Sequence, residues 1–310
     1  MRREVTSKEK KLRHPKLSKL ARKEELEFYL FISPWIIGFV FFTGGPIIAS
    51  FLISLTNWSI LSAPQWTGLT NYTKLFTDPI FYRVLLNTAY YSCGSVSLGV
   101  GGSLIAGLLL NQRLPGLRVF RTIYYLPTVI AGIPMVLLFL WLYNPSYGLF
   151  NYVLSRLGVG KVGWLWDENW AMPAIILMNL WRIGGNMIIF LAALHGVPQS
   201  LYDAARADGA NFWHQFIYIT LPMISPIIFL VVVISTIASF QVFLEPYVLT
   251  EGGPANATLT YVLYLYRNGF QWWKVGYAST MAWILLVILL SLTGIQFKLA
   301  RYWVYYAEGK

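Results

Sequence analysis

The sequence predicts an all-α integral membrane protein with six transmembrane helices and both termini on the cytoplasmic face. Three observations carry that prediction. Apolar residues fill 56% of the 310 positions and charged residues only 12%, about half the charged share of a soluble domain. The apolar residues gather in long blocks instead of short amphipathic periods. Finally, Lys and Arg fall very unevenly on the two sides of those blocks.

Six blocks reach the roughly 20 residues a helix needs to cross about 30 Å of hydrocarbon. They lie near Tyr29–Ile53, Val84–Leu110, Ile123–Tyr143, Ala171–Leu194, Met223–Leu249 and Tyr277–Lys298. Pro34, Pro46, Pro127, Pro134 and Pro173 stand in or near them. Neighbouring helices can re-satisfy the backbone groups these prolines free, so the blocks remain spans. Ten basic residues lie between Arg2 and Lys23, ahead of the first block. This basic stretch is long and contains acids, and the apolar run behind it exceeds a signal core, so the first span is expected to be retained. One side of the membrane holds this tail, Arg113, Arg118, Arg121, Arg206, Lys298, Arg301 and Lys310, 17 basic residues in all. The other side holds six: Lys74, Arg83, Arg156, Lys161, Arg267 and Lys274. That asymmetry makes the first side cytoplasmic. The expected division is a basic tail over 1–27, the first span and an outer loop over 28–83, a transmembrane core over 84–300 and a C-terminal tail over 301–310.

Several function classes drop out. The net charge of +11 is concentrated in the tail, where it reads as a topology determinant touching anionic headgroups and not as a nucleic-acid surface. The lone Cys93 forms no internal disulfide, and no His or carboxylate pair stands at metal spacing, so no metal is expected. Small residues in the second block, from Gly94 to Gly107, lack the Lys-Ser or Lys-Thr of a nucleotide loop and suit close helix packing. Asp167 and Glu168 are adjacent in an outer loop, too little for an integral-membrane glycosyltransferase. The Trp- and Tyr-rich outer loops, including Trp58, Trp66, Trp164, Trp170 and Trp272, fit an aromatic belt, or stacking faces for sugar rings.

The inner segment 196–222 is unlike the others. Pro198 stops the incoming helix, and Ser200 stands three residues before Asp203 in a capping-box-like start. Leu201, Ala204, Ala205 and Asp208 would share one side of a short helix. Gly209 ends it with a residue free to take positive φ. A second helix from about Asn211 then runs into Pro222 and the fifth span. This is a helix-turn-helix at the membrane surface, suited to a groove on another protein. Arg206 stands against Asp203 and Asp208, which argues against an anionic-lipid contact.

Asp203-Ala204-Ala205, three residues, Gly209, nine residues and Ile219-x-Leu221-Pro222 resemble the EAA loop of binding-protein-dependent ABC importer permeases, with Asp203 where that family usually has Glu. Gly68 to Tyr72, Asn87-Thr88, Arg121 with Leu126-Pro127, Thr250 to Pro254 and Gly276 to Ser279 resemble its sugar-importing branch, specifically the first permease of maltose-type and glycerol-phosphate-type systems. The resemblance covers nearly all of the chain after the basic tail. It implies the type I importer fold in a bacterial or archaeal cytoplasmic membrane, a second permease as heterodimer partner, an ATPase pair on the cytoplasmic face and a sugar-binding protein outside. The loop at Asp203–Gly209 would be the coupling helix. This chain would bind no cofactor and hydrolyse nothing, with ATP and Mg held by the partner ATPase.

Ionisable groups within spans are functional candidates. Arg182 lies mid-block in the fourth span and Glu245 toward the outer end of the fifth. Their depths differ by about 10 Å if both helices are straight, so Arg182 is read either as pairing structurally or across subunits, or as meeting an acidic sugar. Asn186, Ser235, Ser239 and Gln241 are the neutral groups placed toward a carbohydrate pathway, with interhelical hydrogen bonding as the plainer role. The transport rival is a permease for another solute.

Overall fold

The computed structural model describes residues 19–112, 114–130 and 132–305. Most of the basic tail, Arg113 and Lys310 lie outside the described residues. The chain divides into two units, through Leu52 and from Ile53 onward.

The first unit is a rod. Helices α1 (Lys19–Phe39) and α2 (Gly45–Ser54) are joined by a π-helical turn, Val40–Gly44, into one run over Lys19–Ser54. Apart from Ser54 at its end, none of these residues is buried. A helix this long and apolar with no buried face is a candidate membrane span. It starts ten residues earlier than the apolar block, inside the basic tail, because the run from Lys19 to Glu27 contains good helix formers.

The second unit begins with a small antiparallel pair, β1 (Thr56–Asn57) and β2 (Gln65–Trp66), and α3 (Thr70–Thr77). The long α4 (Pro79–Leu110) follows. Asp78 starts it well: one carboxylate oxygen accepts from the Ile80 N–H at 2.9 Å, and Pro79 sits where its missing N–H costs nothing. The second oxygen accepts from the Tyr264 and Tyr277 hydroxyls at 2.6 and 2.9 Å, tying α4 to α14 (Tyr261–Tyr266) and α15 (Val275–Ala300).

Helix α4 packs against α9 (Gly184–His195) and α12 (Leu221–Phe240). Its small residues permit this. A Cβ at Gly107 would lie 3.2 Å from Phe190 of α9, and Gly94 allows a similar approach to helix α8 (Glu168–Met178), where a Cβ would lie 2.8 Å from Ile176. Ser92 and Ser239 hydroxyls meet at 2.5 Å between α4 and α12. Removing both in a Ser92→Ala and Ser239→Ala double-mutant cycle should show a coupling of about 0.6 kcal/mol, the usual size in a bilayer, read by unfolding in detergent.

Among the described residues, four helices are long and apolar enough to cross a membrane: Lys19–Ser54, Pro79–Leu110, Phe212–Phe240 and Val275–Ala300. Two expected spans are broken. Helices α5 (Leu117–Val129) and α6 (Ile133–Leu142) meet at 101°. Ile130 leaves helical geometry and Gly132 takes a φ of +86° ahead of Pro134. After α7 (Leu149–Arg156), α8 (Glu168–Met178) tightens into a 3₁₀ turn, Asn179–Arg182, and bends by 48° into α9. Counting each bent pair as one span gives up to six.

The fifth block also differs from its expected Met223–Leu249. A short α11 (Phe212–Gln215), a π turn over Phe216–Thr220 and α12 make one helix that ends at Phe240. A new helix, α13 (Leu244–Thr250), then begins. Pro246 explains the break: inside a continuous helix it would leave the Val242 carbonyl without a donor and press its ring on it. Here that carbonyl accepts from the Thr260 hydroxyl at 3.2 Å.

The segments that carry the family resemblance outside the inner loop are fasteners. Asn71 Nδ2 donates to the Ser54 and Thr56 carbonyls at 2.9 and 2.8 Å. Asn87 Nδ2 donates to Asn256 and Leu259 carbonyls at 2.8 and 3.0 Å, and the Thr88 hydroxyl accepts from the Tyr261 N–H at 2.8 Å. Thr258 donates to the Gly253 carbonyl at 2.7 Å, and Arg121 to that of Leu110 at 2.8 Å. Trp164 and Trp170 belong to an aromatic cluster with Tyr143 and Phe150.

Candidate functional site: a polar cavity joined to an exposed elbow

A cavity of about 590 Å³ lies among α4, α5, the 3₁₀ turn, α9, α12 and α13. Arg182, Asn186, Ser235, Ser239, Gln241 and Glu245 all border it. The break after Phe240 brings them together. Because α13 starts afresh, Glu245 lies beside Arg182, Nη1 to Oε1 at 3.4 Å. The depth difference expected from straight helices is thereby removed. Both line the cavity, the Arg182 side chain 41% exposed and Glu245 12%, so the cation is the more open of the pair and the anion the more recessed.

Ser239 contributes least to the opening. It is buried, and its hydroxyl is engaged with Ser92 and with the Thr236 carbonyl at 2.9 Å. Four bordering residues, Tyr91, Ser95, Thr128 and Asn179, were not foreseen. Asn179 Nδ2 donates to Tyr91 Oη at 2.9 Å, to Ser95 Oγ at 3.4 Å and to the Ile175 carbonyl at 3.2 Å. This fixes the first residue of the turn that carries Arg182. Thr128 Oγ1 is covered and has no hydrogen-bond partner among the described residues. The sequence signal for Asn179 was its polar side chain at the centre of an apolar block, four residues after Ile175.

The second feature is α10 (Gln199–Ala207). Its N-cap is Pro198 with no side-chain cap, so the Ser200 capping box does not form. Proline at that point turns the chain first, leaving Ser200 inside the helix. Gly209 takes a φ of +80°, its N–H bonds to the Arg206 carbonyl at 3.1 Å and the Ala210 N–H to the Ala205 carbonyl at 2.9 Å, a Schellman ending with Gly209 in the αL region. Asn211 caps the next helix, its Oδ1 accepting from the His214 N–H at 2.9 Å.

Tyr202 holds the elbow to the membrane core. Its hydroxyl meets Thr220 Oγ1 at 2.9 Å, and its ring packs with Leu194, Val197, Ile219 and Ile224. Ile219 and Pro222 are half-buried packing residues, whereas Asp203, Ala204, Asp208, Gly209 and Leu221 are exposed and Ala205 is half-buried. Asp203 accepts from Gln199 Nε2 at 3.4 Å and from Arg206. These two bonds hold its carboxyl below the usual carboxylate range. Among the described residues no three His, Cys, Asp or Glu side chains gather as a metal site.

The elbow joins α9 to α12, and both border the cavity.

Comparison with known proteins agrees with this arrangement. The family described as "Binding-protein-dependent transport system inner membrane component" matches residues 99–303. The chain is 40% identical to the "Probable ABC transporter permease protein YesP" of Bacillus subtilis, over 94% of this chain and 96% of that protein. It is 35% identical to the "Lactose transport system permease protein LacF" of Rhizobium radiobacter, over 92% and 97%. A chain of the bacterial alginate ABC transporter, solved in complex with an alginate pentasaccharide-bound periplasmic protein, superposes with a TM-score of 0.80 at 27% identity, covering 90% of this chain and 95% of that one. The chain belongs to the family of binding-protein-dependent transport system inner membrane components and is an ABC transporter permease, a transport subunit and not an enzyme.

Proposed function

We propose that this permease is one half of the translocation pathway of an ATP-driven carbohydrate importer in the cytoplasmic membrane of a bacterium or archaeon. Both bent pairs then count as spans, giving six over residues 28–300, and the excess of basic residues on one side puts both termini in the cytoplasm. The pathway is the cavity bordered by Arg182, Asn186, Ser235, Gln241 and Glu245. Its neutral donors and acceptors suit sugar hydroxyls, and the matched proteins whose names state a cargo include lactose and alginate transporters.

One observation carries the coupling half of the proposal: α10 is exposed, internally braced and joined at both ends to cavity-lining helices. The elbow is the coupling helix, seated in a cytoplasmic ATPase that holds ATP and Mg. A second permease completes the pathway, and a sugar-binding protein delivers from outside. When the ATPase pair closes, α10 moves with it, α9 and α12 rotate together, and the cavity opens outward. Hydrolysis reverses the motion. The chain itself supplies no catalytic group.

Asp203→Lys tests this. It reverses a charge at an exposed position and replaces the Arg206 attraction with repulsion. A partner groove that accepts a carboxylate at this position then meets a cation instead. ATPase retained on the purified permease should fall by roughly tenfold or more, with the thermal unfolding of the permease unchanged. Full retention together with full transport would exclude α10 as the coupling element.

A further inference from the structure

We infer that Arg182 is a carboxylate-recognising residue and that the transported sugars bear uronate groups. This rests on the carbohydrate-importer reading and narrows it. Among the described residues, Arg182 and Glu245 are the only charged ones bordering the cavity. Every other polar group there is a neutral amide, hydroxyl or backbone group, a set sufficient for sugar hydroxyls. A cation at membrane depth is expensive, and such residues face functional cavities. A pathway for neutral sugars alone has no use for that expense.

The pairing geometry agrees. Charge-assisted N–H···O bonds are normally about 2.7–2.9 Å and Arg–carboxylate pairs are frequently bidentate. Here the contact is a single one at 3.4 Å, with Glu245 recessed and Arg182 41% exposed. A guanidinium carries five N–H donors, so the cavity-facing side is left for a second carboxylate. Glu245 is the resident counter-ion that keeps the empty cavity neutral. Asn179, held by Tyr91 and Ser95, is a positioning residue that fixes the 3₁₀ turn carrying Arg182. A carboxylate suits the planar guanidinium fork bidentately, and Asn186, Ser235 and Gln241, which line the same cavity, are the neutral partners for ring hydroxyls.

The test uses the complete transporter in vesicles, with its ATPase, partner permease and binding protein. It is supplied with an equimolar pool of neutral di- to tetrasaccharides and uronate-bearing ones of matched length. Mass spectrometry of the vesicle contents gives the uronate-to-neutral ratio. Uronate-bearing sugars are expected to dominate. Arg182→Gln combined with Glu245→Gln removes both charges without leaving either unpaired, and should lower uronate uptake roughly ten- to hundredfold. Arg182→Lys should retain part of that uptake, because the charge survives without the fork. Accumulation of neutral sugars only, or uronate uptake unaffected by the double substitution, overturns the inference while leaving a carbohydrate importer. Uptake of neither class overturns the carbohydrate reading, and this inference with it.

Discussion

Gly209→Pro is expected to abolish sugar-stimulated ATP hydrolysis by the assembled transporter while leaving the membrane helices folded. Gly209 has a φ of +80°, and proline is fixed near −65°. Its N–H donates to the Arg206 carbonyl at 3.1 Å, a bond proline cannot make. The Schellman ending, with its Ala210-to-Ala205 bond, must therefore open, and α10 loses its fixed orientation to α11. Strain of this kind costs of order 1–3 kcal/mol locally. The elbow is exposed and tied to the core chiefly through Tyr202 and Thr220, so the loss is confined to it. Stimulated hydrolysis should fall more than about tenfold, since each 1.4 kcal/mol of lost coupling is a factor of ten. Permease purified in detergent should keep its helical circular dichroism. Gly209→Asn is the matched control, because Asn tolerates the αL region and should retain most of the coupling. Equal activity of the proline variant and the unmodified transporter would mean that the orientation of α10 is irrelevant to ATP use.

The same contrast between exposed elbow and packed core explains what could be read from the sequence. The long apolar blocks were legible because a bilayer imposes length and composition directly. Lys19–Ser54, Pro79–Leu110 and Val275–Ala300 stand where such blocks stand. The Gly209 turn was legible because positive φ leaves a residue-type signature. Broken helices were not. Gln241 to Phe243 read as part of an apolar run, and only Pro246, judged by which carbonyl it would orphan, marks the break that swings Glu245 onto Arg182. Tyr202 was missed for a different reason. Its anchoring role depends on Thr220, 18 residues away, and no local period reports a contact at that distance. Asn71, Asn87 and Thr88 were recognisable as family segments, yet their purpose as donors and acceptors to distant backbone groups is visible only in three dimensions.

A second large effect is expected at the seam between α5 and α9, where the cavity wall depends on a missing side chain. At Gly184 a Cβ would coincide with the Tyr124 carbonyl group and press on the Tyr125 backbone. Backbone cannot rotate away as a side chain can, so α5 would have to shift bodily. Overpacking of a well-fitted core commonly costs about 1–3 kcal/mol and sometimes more, and a β-branched residue meeting backbone belongs at the upper end. Gly184→Val should therefore lower the thermal unfolding midpoint of the permease and reduce transport at least about tenfold, because α9 carries Asn186 and follows directly on the turn holding Arg182. The neighbouring Gly185 provides the control. A Cβ there would sit 3.4 Å from Thr128 Cγ2, an ordinary contact with a side chain, so Gly185→Ala should change stability by less than about 1 kcal/mol. If the two variants behave alike, the close approach of α9 to the Tyr124 carbonyl does not govern the cavity wall. If only Gly184→Val fails, the bend between α8 and α9 is held by that approach. In that case the position of Arg182 is set by helix packing before any substrate arrives.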